Sequence, residues 1–347
     1  MIKKLWDIST ISKIILKNQT SIKDGSGIIN EFETNFKNFI GRKFSIATNN
    51  GTSALHSAYF ALSLEKGDEV ILPSYTWHAT GLPALLLGAK PVFAEIEPKT
   101  LTMNPKSVER LITKNTKAIV AVHLWGNICD LDGLLSLKEK YNLKLVEDCS
   151  HAFGAEYNGK TIGSFGNVSC FSMQKTKAVK AGEGGVLVTD DREIYERALA
   201  FGQHGRLEKE LTLPSLKKYS YTGLGYKYRP HPLAIALANN SLQTLDARTS
   251  KQLKKIDRLN HIFESMEQIT IPWVDSKVKR GFIHQYRVLF NGDLHEKTQF
   301  IEQLNKKGIK AKEENYRLLH EQPMFNTKVQ LPVTEKTHKR LIAISLR

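Results

Sequence analysis

The chain is poor in the features that announce several common protein classes. It has three cysteines in 347 residues, Cys129, Cys149 and Cys170, and no CxxC pair. That number and spacing suggest neither a disulfide framework nor a zinc site, and they fit a reducing, cytoplasmic setting with no metal. No stretch approaches the ~20 continuous apolar residues that a membrane span requires. The opening segment "MIKKLWDISTISKIILKNQ" begins with lysines, but Asp7, Lys13 and Lys17 break its apolar residues and no small-residue cleavage site follows. No signal peptide is therefore expected. No GxGxxG follows the first strand-like run, which sets aside a Rossmann dehydrogenase. Internal repeats and low-complexity linkers are also missing.

Positive charge is what the chain has in excess: 50 Lys and Arg against 35 Asp and Glu, a net charge of +15. Such a potential concentrates anions near the surface, so nucleic acid and acidic small molecules both come into view. The basic residues form no dense run and are scattered through helix-like and strand-like segments. A solvated, lysine-rich surface accounts for that pattern better than a nucleic-acid footprint. A hydrophobic content of 41% is enough for globular packing, and the length predicts a large domain with a smaller one.

From Phe44 onward, "KFSIAT", "DEVILP", "KPVFAEI", "KAIVAVHL" and "LKLVED" read as short buried strands. Between them "GTSALHSAYFALSL", "ATGLPALLLG", "PKSVERLITKN" and "LDGLLSLKEKYN" have helical spacing. This alternation predicts an α/β fold, a mainly parallel sheet covered on both faces. Two further strands, "NVSCFSM" and "GGVLVTD", are joined by a lysine-rich segment without a full helix. A long helical stretch starts near Pro232 and leads into a small α+β domain containing "HQYRVLF" and "KTQFIEQLNKKGIKAK". The expected division is an N-terminal arm at 1–25, a large domain at 26–240 and a small domain at 241–347.

Ligands in such sheets sit beyond the carboxyl ends of the strands. After the first strand come Gly51, expected to allow a sharp turn, and Thr52 and Ser53, which open a helix; amides and dipole there suit a phosphate, or simply a helix cap. After the second comes Trp77, whose ring fits either a flat ligand or the core. Asp148 ends the strand "LKLVED" and fits either a ligand site or a turn cap; His151 follows three residues later, and a lone histidine is usually structural. Ser172 ends "SCFS", ahead of Lys175, Lys177 and Lys180. Together these residues are the parts that pyridoxal phosphate needs: a phosphate cup, an aromatic face, a carboxylate for the ring nitrogen and an amine for the aldehyde.

With "NNGTSALH", "GDEVILPSYTWHAT", "VHLWGN", "VEDCSHAFGA" and "GSFGNVSCFSMQKTKAVKAGEGG" in view, the chain resembles the DegT/DnrJ/EryC1/StrS aminotransferases of sugars and cyclitols. The likeness covers most of its length. It implies an aspartate-aminotransferase-like fold (PLP fold type I), with a large, mostly parallel, seven-stranded sheet domain and a small α+β domain. The family's Schiff-base lysine stands five residues after a phosphate-binding serine and five before a GEGG turn; only Lys177 keeps both spacings, to Ser172 and Gly182. Lys175 and Lys180 fall outside that register and are left to solvent or to general attraction of phosphate.

The resemblance further implies Asp148 at the pyridine nitrogen, Trp77 on the ring face, His151 near the phenolic oxygen, and Thr52, Ser53 and Ser172 at the phosphate. Lys227 stands where many relatives have an Asn that reaches the cofactor phosphate of the neighbouring subunit, which implies a homodimer with shared sites. Tyr316 and His320 match a segment that closes over the acceptor. Relatives continue beyond the region matching "KRLIAISLR", so a short small domain is expected. The implied reaction is ping-pong transfer of an amino group from glutamate or glutamine to a keto sugar, nucleotide-linked, or to a keto cyclitol. The rivals are a pyridoxamine-dependent sugar dehydratase, in which histidine replaces the lysine, and a non-catalytic cofactor-binding regulator.

Overall fold

The computed structural model describes residues 8–346. Of the expected arm, residues 1–7 lie outside that range, and Ile8–Leu16 forms a short helix. The centre is a seven-stranded sheet. Its strands are β1 (Phe44–Thr48), β2 (Glu69–Pro73), β3 (Lys90–Ala94), β4 (Thr116–Val122), β5 (Lys144–Asp148), β6 (Val168–Ser172) and β7 (Gly185–Thr189). They are ordered β1-β7-β6-β5-β4-β2-β3. Every neighbouring pair is parallel except those of β7, which runs antiparallel to both β1 and β6. The single reversal follows from the short connection between β6 and β7, which has no crossover helix to bring the chain back for a parallel pairing.

The strands are apolar throughout because both faces are covered. Val70, Leu72, Val120 and Val146 pack on one face, and Ile71, Ile119, Ala121 and Leu145 pack on the other. Helix α1 (Ile28–Ile40) buries Phe32 and Phe36 against Phe171 and Val186, while α2 (Gly51–Ala61) and α3 (Arg192–Gly202) cover the opposite face. A second sheet contains β8 (Ile269–Thr270), β9 (Tyr286–Phe290), β10 (Ala311–Glu313) and β11 (Leu341–Ile344), all antiparallel, in the order β8-β9-β11-β10. Among the described residues no helix is long and apolar enough to cross a membrane.

The long helix expected from Pro232 is two helices, α4 (Pro232–Gln243) and α5 (Leu245–Glu264). Thr244 stands between them at φ −102°, ψ 5°. Arg248 supplies the reason. Its guanidinium donates to the carbonyl of Ser241 at 2.6 Å, serving the end of α4 in place of a continuing helical N–H. The same group donates to the carbonyl of Ala178 at 2.7 Å, and the Lys180 N–H donates to Ser241 Oγ at 3.1 Å. The break between the helices thus anchors the lysine-rich loop.

Neighbouring acids on β5 have opposite fates because side chains alternate across a strand. Glu147 turns into the interior and is fully buried. It accepts from the amides of Gly163, Phe165 and Gly166 at 3.0, 2.8 and 2.7 Å, from Ser169 Oγ at 3.0 Å, and from His123 Nε2 at 3.3 Å. Burial alone would raise its pKa, but His123 and these donors outweigh it and bring the carboxyl down to about 2. Glu147→Ala is expected to cost about 3–5 kcal/mol of unfolding free energy, because it strands buried donors. Urea denaturation of the two proteins measures this.

Candidate active site

The carboxyl ends of β2, β4, β5 and β6 meet at one edge of the central sheet and enclose a cavity of about 410 Å³. One end of it is the N-terminus of α2. Asn50 is the cap here, its Oδ1 accepting from the Ser53 N–H at 2.8 Å. This corrects the reading of Ser53: its amide is consumed by the cap, its side chain is buried, and it does not line the cavity. Asn50, Gly51, Thr52 and Ser172 do. Gly51 is also corrected, since it is the first helical residue and makes no sharp turn. It is glycine because a Cβ there would lie 2.8 Å from Ser172 Cβ. Gly185 meets a parallel constraint, with a Cβ falling 2.3 Å from the carbonyl oxygen of Asn50. The approach of α2 to β6 and β7 therefore depends on two missing side chains.

Asp148 lines the cavity at the end of β5. Its Oδ2 accepts from Thr80 Oγ1 at 2.9 Å and its Oδ1 from the Ser150 N–H at 3.2 Å. The carboxylate therefore caps a turn and lines the cavity together. Lys177 follows β6 in a loop held by the pairing of Gln174 with Gly182, and its Nζ lies 2.6 Å from His151 Nε2. Burial lowers the Lys177 pKa to about 8, opposed by the nearby charge of Asp148. The imidazole of His151 is held well below its usual value, by burial first and then by Lys177, His284 and Arg287. Trp77 is 51% exposed at the cavity mouth, its ring centre 5.2 Å from that of Tyr316, rather than in the core.

Two sequence-derived candidates lie elsewhere. His320 is corrected as an acceptor contact: its Nδ1 pairs with Ser74 Oγ at 2.7 Å and its Nε2 with Glu335 at 3.2 Å, so both nitrogens are engaged away from the cavity. Lys227 is exposed on a loop, paired through its backbone with Gln203, and does not line this chain's cavity. Thr80, Trp125, Glu183, His284 and Gln285 belong to the site or its wall and were not singled out from sequence. Trp125, Thr80 and Glu183 lie within quoted motifs, "VHLWGN", "GDEVILPSYTWHAT" and the GEGG turn, whereas His284 and Gln285 lie in none of them.

An amine and a carboxylate in one cavity, with the N-terminus of a helix at one end, on a doubly covered parallel sheet, define an aminotransferase-type centre. The chain belongs to the DegT/DnrJ/EryC1/StrS aminotransferase family, which its residues 8–347 match. It is 32% identical over 321 residues to GDP-perosamine synthase of Escherichia coli O157:H7, covering 92% of this chain and 84% of that protein. It is 34% identical over 224 residues to a putative L-glutamine:3-amino-2,3-dideoxy-scyllo-inosose aminotransferase of Streptomyces kanamyceticus, covering 65% of this chain and 52% of that one. The crystal structure of 3-amino-5-hydroxybenzoic acid synthase superposes with a TM-score of 0.87 over 98% of this chain and 91% of the other, at 23% identity, a likeness of fold. The protein is thus an aminotransferase by family, and neither the dehydratase nor the regulator reading is favoured.

The geometry predicts how Lys177 titrates. Labelling of this residue by an amine-directed reagent, followed by peptide mass spectrometry, should rise with pH to a midpoint near about 8, whereas exposed lysines should still be gaining reactivity above it. A Lys177 midpoint matching the exposed lysines would remove the argument from burial.

Proposed function

We propose that this enzyme transfers an amino group from glutamate or glutamine to a keto sugar, nucleotide-linked, or to a keto cyclitol, in two half-reactions at the cavity containing Lys177. The observation that carries this reading is that Lys177, Asp148 and the N-terminus of α2 line one cavity. The donor set suits pyridoxal 5'-phosphate. Gly51, Thr52 and Ser172 offer amide and hydroxyl donors to a phosphate, Asp148 offers a held carboxylate to a protonated ring nitrogen, and Lys177 offers a buried amine to an aldehyde. Bound there, the cofactor would supply an electron sink for the carbon that loses its proton.

The chain's own groups do the rest. Once displaced, Lys177 is the base that takes the proton from the substrate carbon and the acid that returns it, and a pKa near about 8 suits both tasks at neutral pH. His151 holds the amine through Nε2 at 2.6 Å and would offer the same nitrogen to a bound ring's phenolic oxygen. Trp77, at the cavity mouth, would cover the face of a bound ring, and Tyr316, seated against Trp77 and Trp125, would close the acceptor side. The relative named GDP-perosamine synthase supports a nucleotide-linked sugar, and the inosose aminotransferase supports a cyclitol acceptor and glutamine as donor.

The working unit in this reading is a cytoplasmic homodimer, with the large domain at 26–240, the small one at 241–347 and the arm at 1–25. The exposure of Lys227 supports its reaching a partner's cofactor phosphate, where its point charge replaces the amide of the usual Asn.

Lys177→Ala is expected to abolish the visible absorbance of lysine-bound cofactor together with turnover; retention of both would remove the assignment. The pyridoxamine-loaded enzyme, screened by mass spectrometry against keto sugars and inososes, should yield one aminated product. Release of keto acid without an aminated product would instead favour dehydration. Mixing Lys177→Ala with Lys227→Glu, each inactive alone, should restore part of the activity through hybrid dimers, and no recovery would count against a shared site.

A further inference from the structure

Trp125 has the least expected backbone near the site. It stands at φ 61°, ψ 0°, in the left-handed region that a bulky residue enters only at a cost. It is nonetheless 1% exposed and held from several sides. Its N–H donates to His151 Nδ1 at 3.2 Å, and its carbonyl accepts the His284 N–H at 3.2 Å. Its indole stacks on His151 at 5.0 Å and donates through Nε1 to Tyr75 Oη at 2.9 Å.

The indole also meets the second sheet. The Arg287 guanidinium, from β9, lies 3.9 Å from the Trp125 ring centre. Arg287 pairs with Glu314, just after β10, in an ion pair whose side chains are both 1% exposed. Glu314 also accepts from Tyr75 Oη at 2.6 Å, so Trp125, Tyr75, Glu314 and Arg287 form a closed ring of contacts. Burial would raise the Glu314 pKa, but hydrogen bonding and charge from Arg287 outweigh it and keep the carboxyl ionised.

The direction of one hydrogen bond gives this ring a chemical consequence. A backbone N–H can only donate, so His151 Nδ1 must accept, and the neutral imidazole carries its proton on Nε2. That nitrogen is 2.6 Å from Lys177 Nζ. An Nε2–H can donate only to an amine that has a lone pair, which favours neutral Lys177. With the Trp125 N–H displaced, the proton can move to Nδ1, and Nε2 then accepts from an ammonium instead. Burial discourages a doubly protonated ring. The other titratable groups lining the cavity are His123 just after β4, Asp148 at the end of β5, Glu183 before β7, His284 before β9, and Tyr316 after β10. None of them donates to His151 Nδ1 among the described residues.

We propose that Arg287 and Glu314 are positioning residues for the reacting lysine: they clamp Trp125, and the Trp125 N–H fixes His151 in the tautomer that favours the neutral form of Lys177. The proposal rests on Lys177 being the reacting amine. It makes the protonation state of that amine depend on contact between the two sheets.

The test uses the full chain before cofactor loading. Nitrogen-15 histidine spectra report the His151 tautomer, with the signal assigned by its loss in His151→Gln. The pH midpoint of Lys177 labelling is read alongside. The unmodified protein should show the Nε2–H form. Arg287→Met should give a mixture of tautomers and raise the labelling midpoint by about one unit, a roughly tenfold loss of neutral amine near pH 7. Arg287→Lys, which keeps the cation over the indole, should recover most of both. Tyr75→Phe and Glu314→Gln open the same ring elsewhere and should act in the same direction if Arg287→Met does not fold. An unchanged tautomer and midpoint in the folded variants, even with a lower melting temperature, would overturn the clamp. If Lys177→Ala still removed the absorbance and turnover, the assignment of the amine would survive that outcome.

Discussion

A primary amine attacks a carbonyl only while it is neutral, and the removal of Lys177 from water is the constraint on which this site depends. Desolvation penalises the ammonium and brings the lysine close to neutrality, while Asp148 pulls the other way. The site has to hold that carboxylate in the same cavity without restoring the full charge on the amine. It does so by engaging the acid locally, through Thr80 and the Ser150 amide, and by placing His151 directly against Lys177. The balance between a buried base and a buried acid is what the surrounding structure has to maintain.

Maintaining it takes rigid supports on every side. The ends of four strands deliver Asp148, Ser172, Trp77 and the turn containing Trp125 to one edge, and pairing within the sheet limits how far any of them can drift. The lysine-bearing loop has no helix of its own. It is fixed by Arg248 and Ser241 at the junction of α4 and α5, so a helix break anchors the loop of the site. The phosphate-side helix is brought close by glycines at 51 and 185, where any side chain would collide with a neighbouring segment. The second sheet contributes Arg287 and Glu314, whose pairing bears on the indole behind His151.

Much of this architecture is legible in the one-dimensional pattern. Runs such as "DEVILP" and "KAIVAVHL" read as doubly buried strands because both alternating faces are apolar, and each is a strand of the central sheet. The helices between them follow from periodicity in the same way. The family resemblance, through its spacing to Ser172 and Gly182, separates Lys177 from Lys175 and Lys180, and the Gln174–Gly182 pairing holds the loop that contains it. Boundaries were harder: nothing local distinguishes Thr244 from its helical surroundings, since the break depends on an arginine reaching back across the loop.

The sequence by itself determined the order of strands and helices along the chain, because that depends on periodicity, and its motifs carried the family resemblance that implies Lys177 and Asp148 at the centre of the site. Tertiary structure alone decided that the Ser53 amide is taken by a helix cap, that His320 is shared by Ser74 and Glu335, and that Trp125 and His284 stack on the histidine beside the lysine while Arg287, paired with Glu314, lies against Trp125. The physical reason is sequence distance. Trp125 and Arg287 meet across two sheets, and the cost of burying each polar group is met only by partners that folding brings from far along the chain.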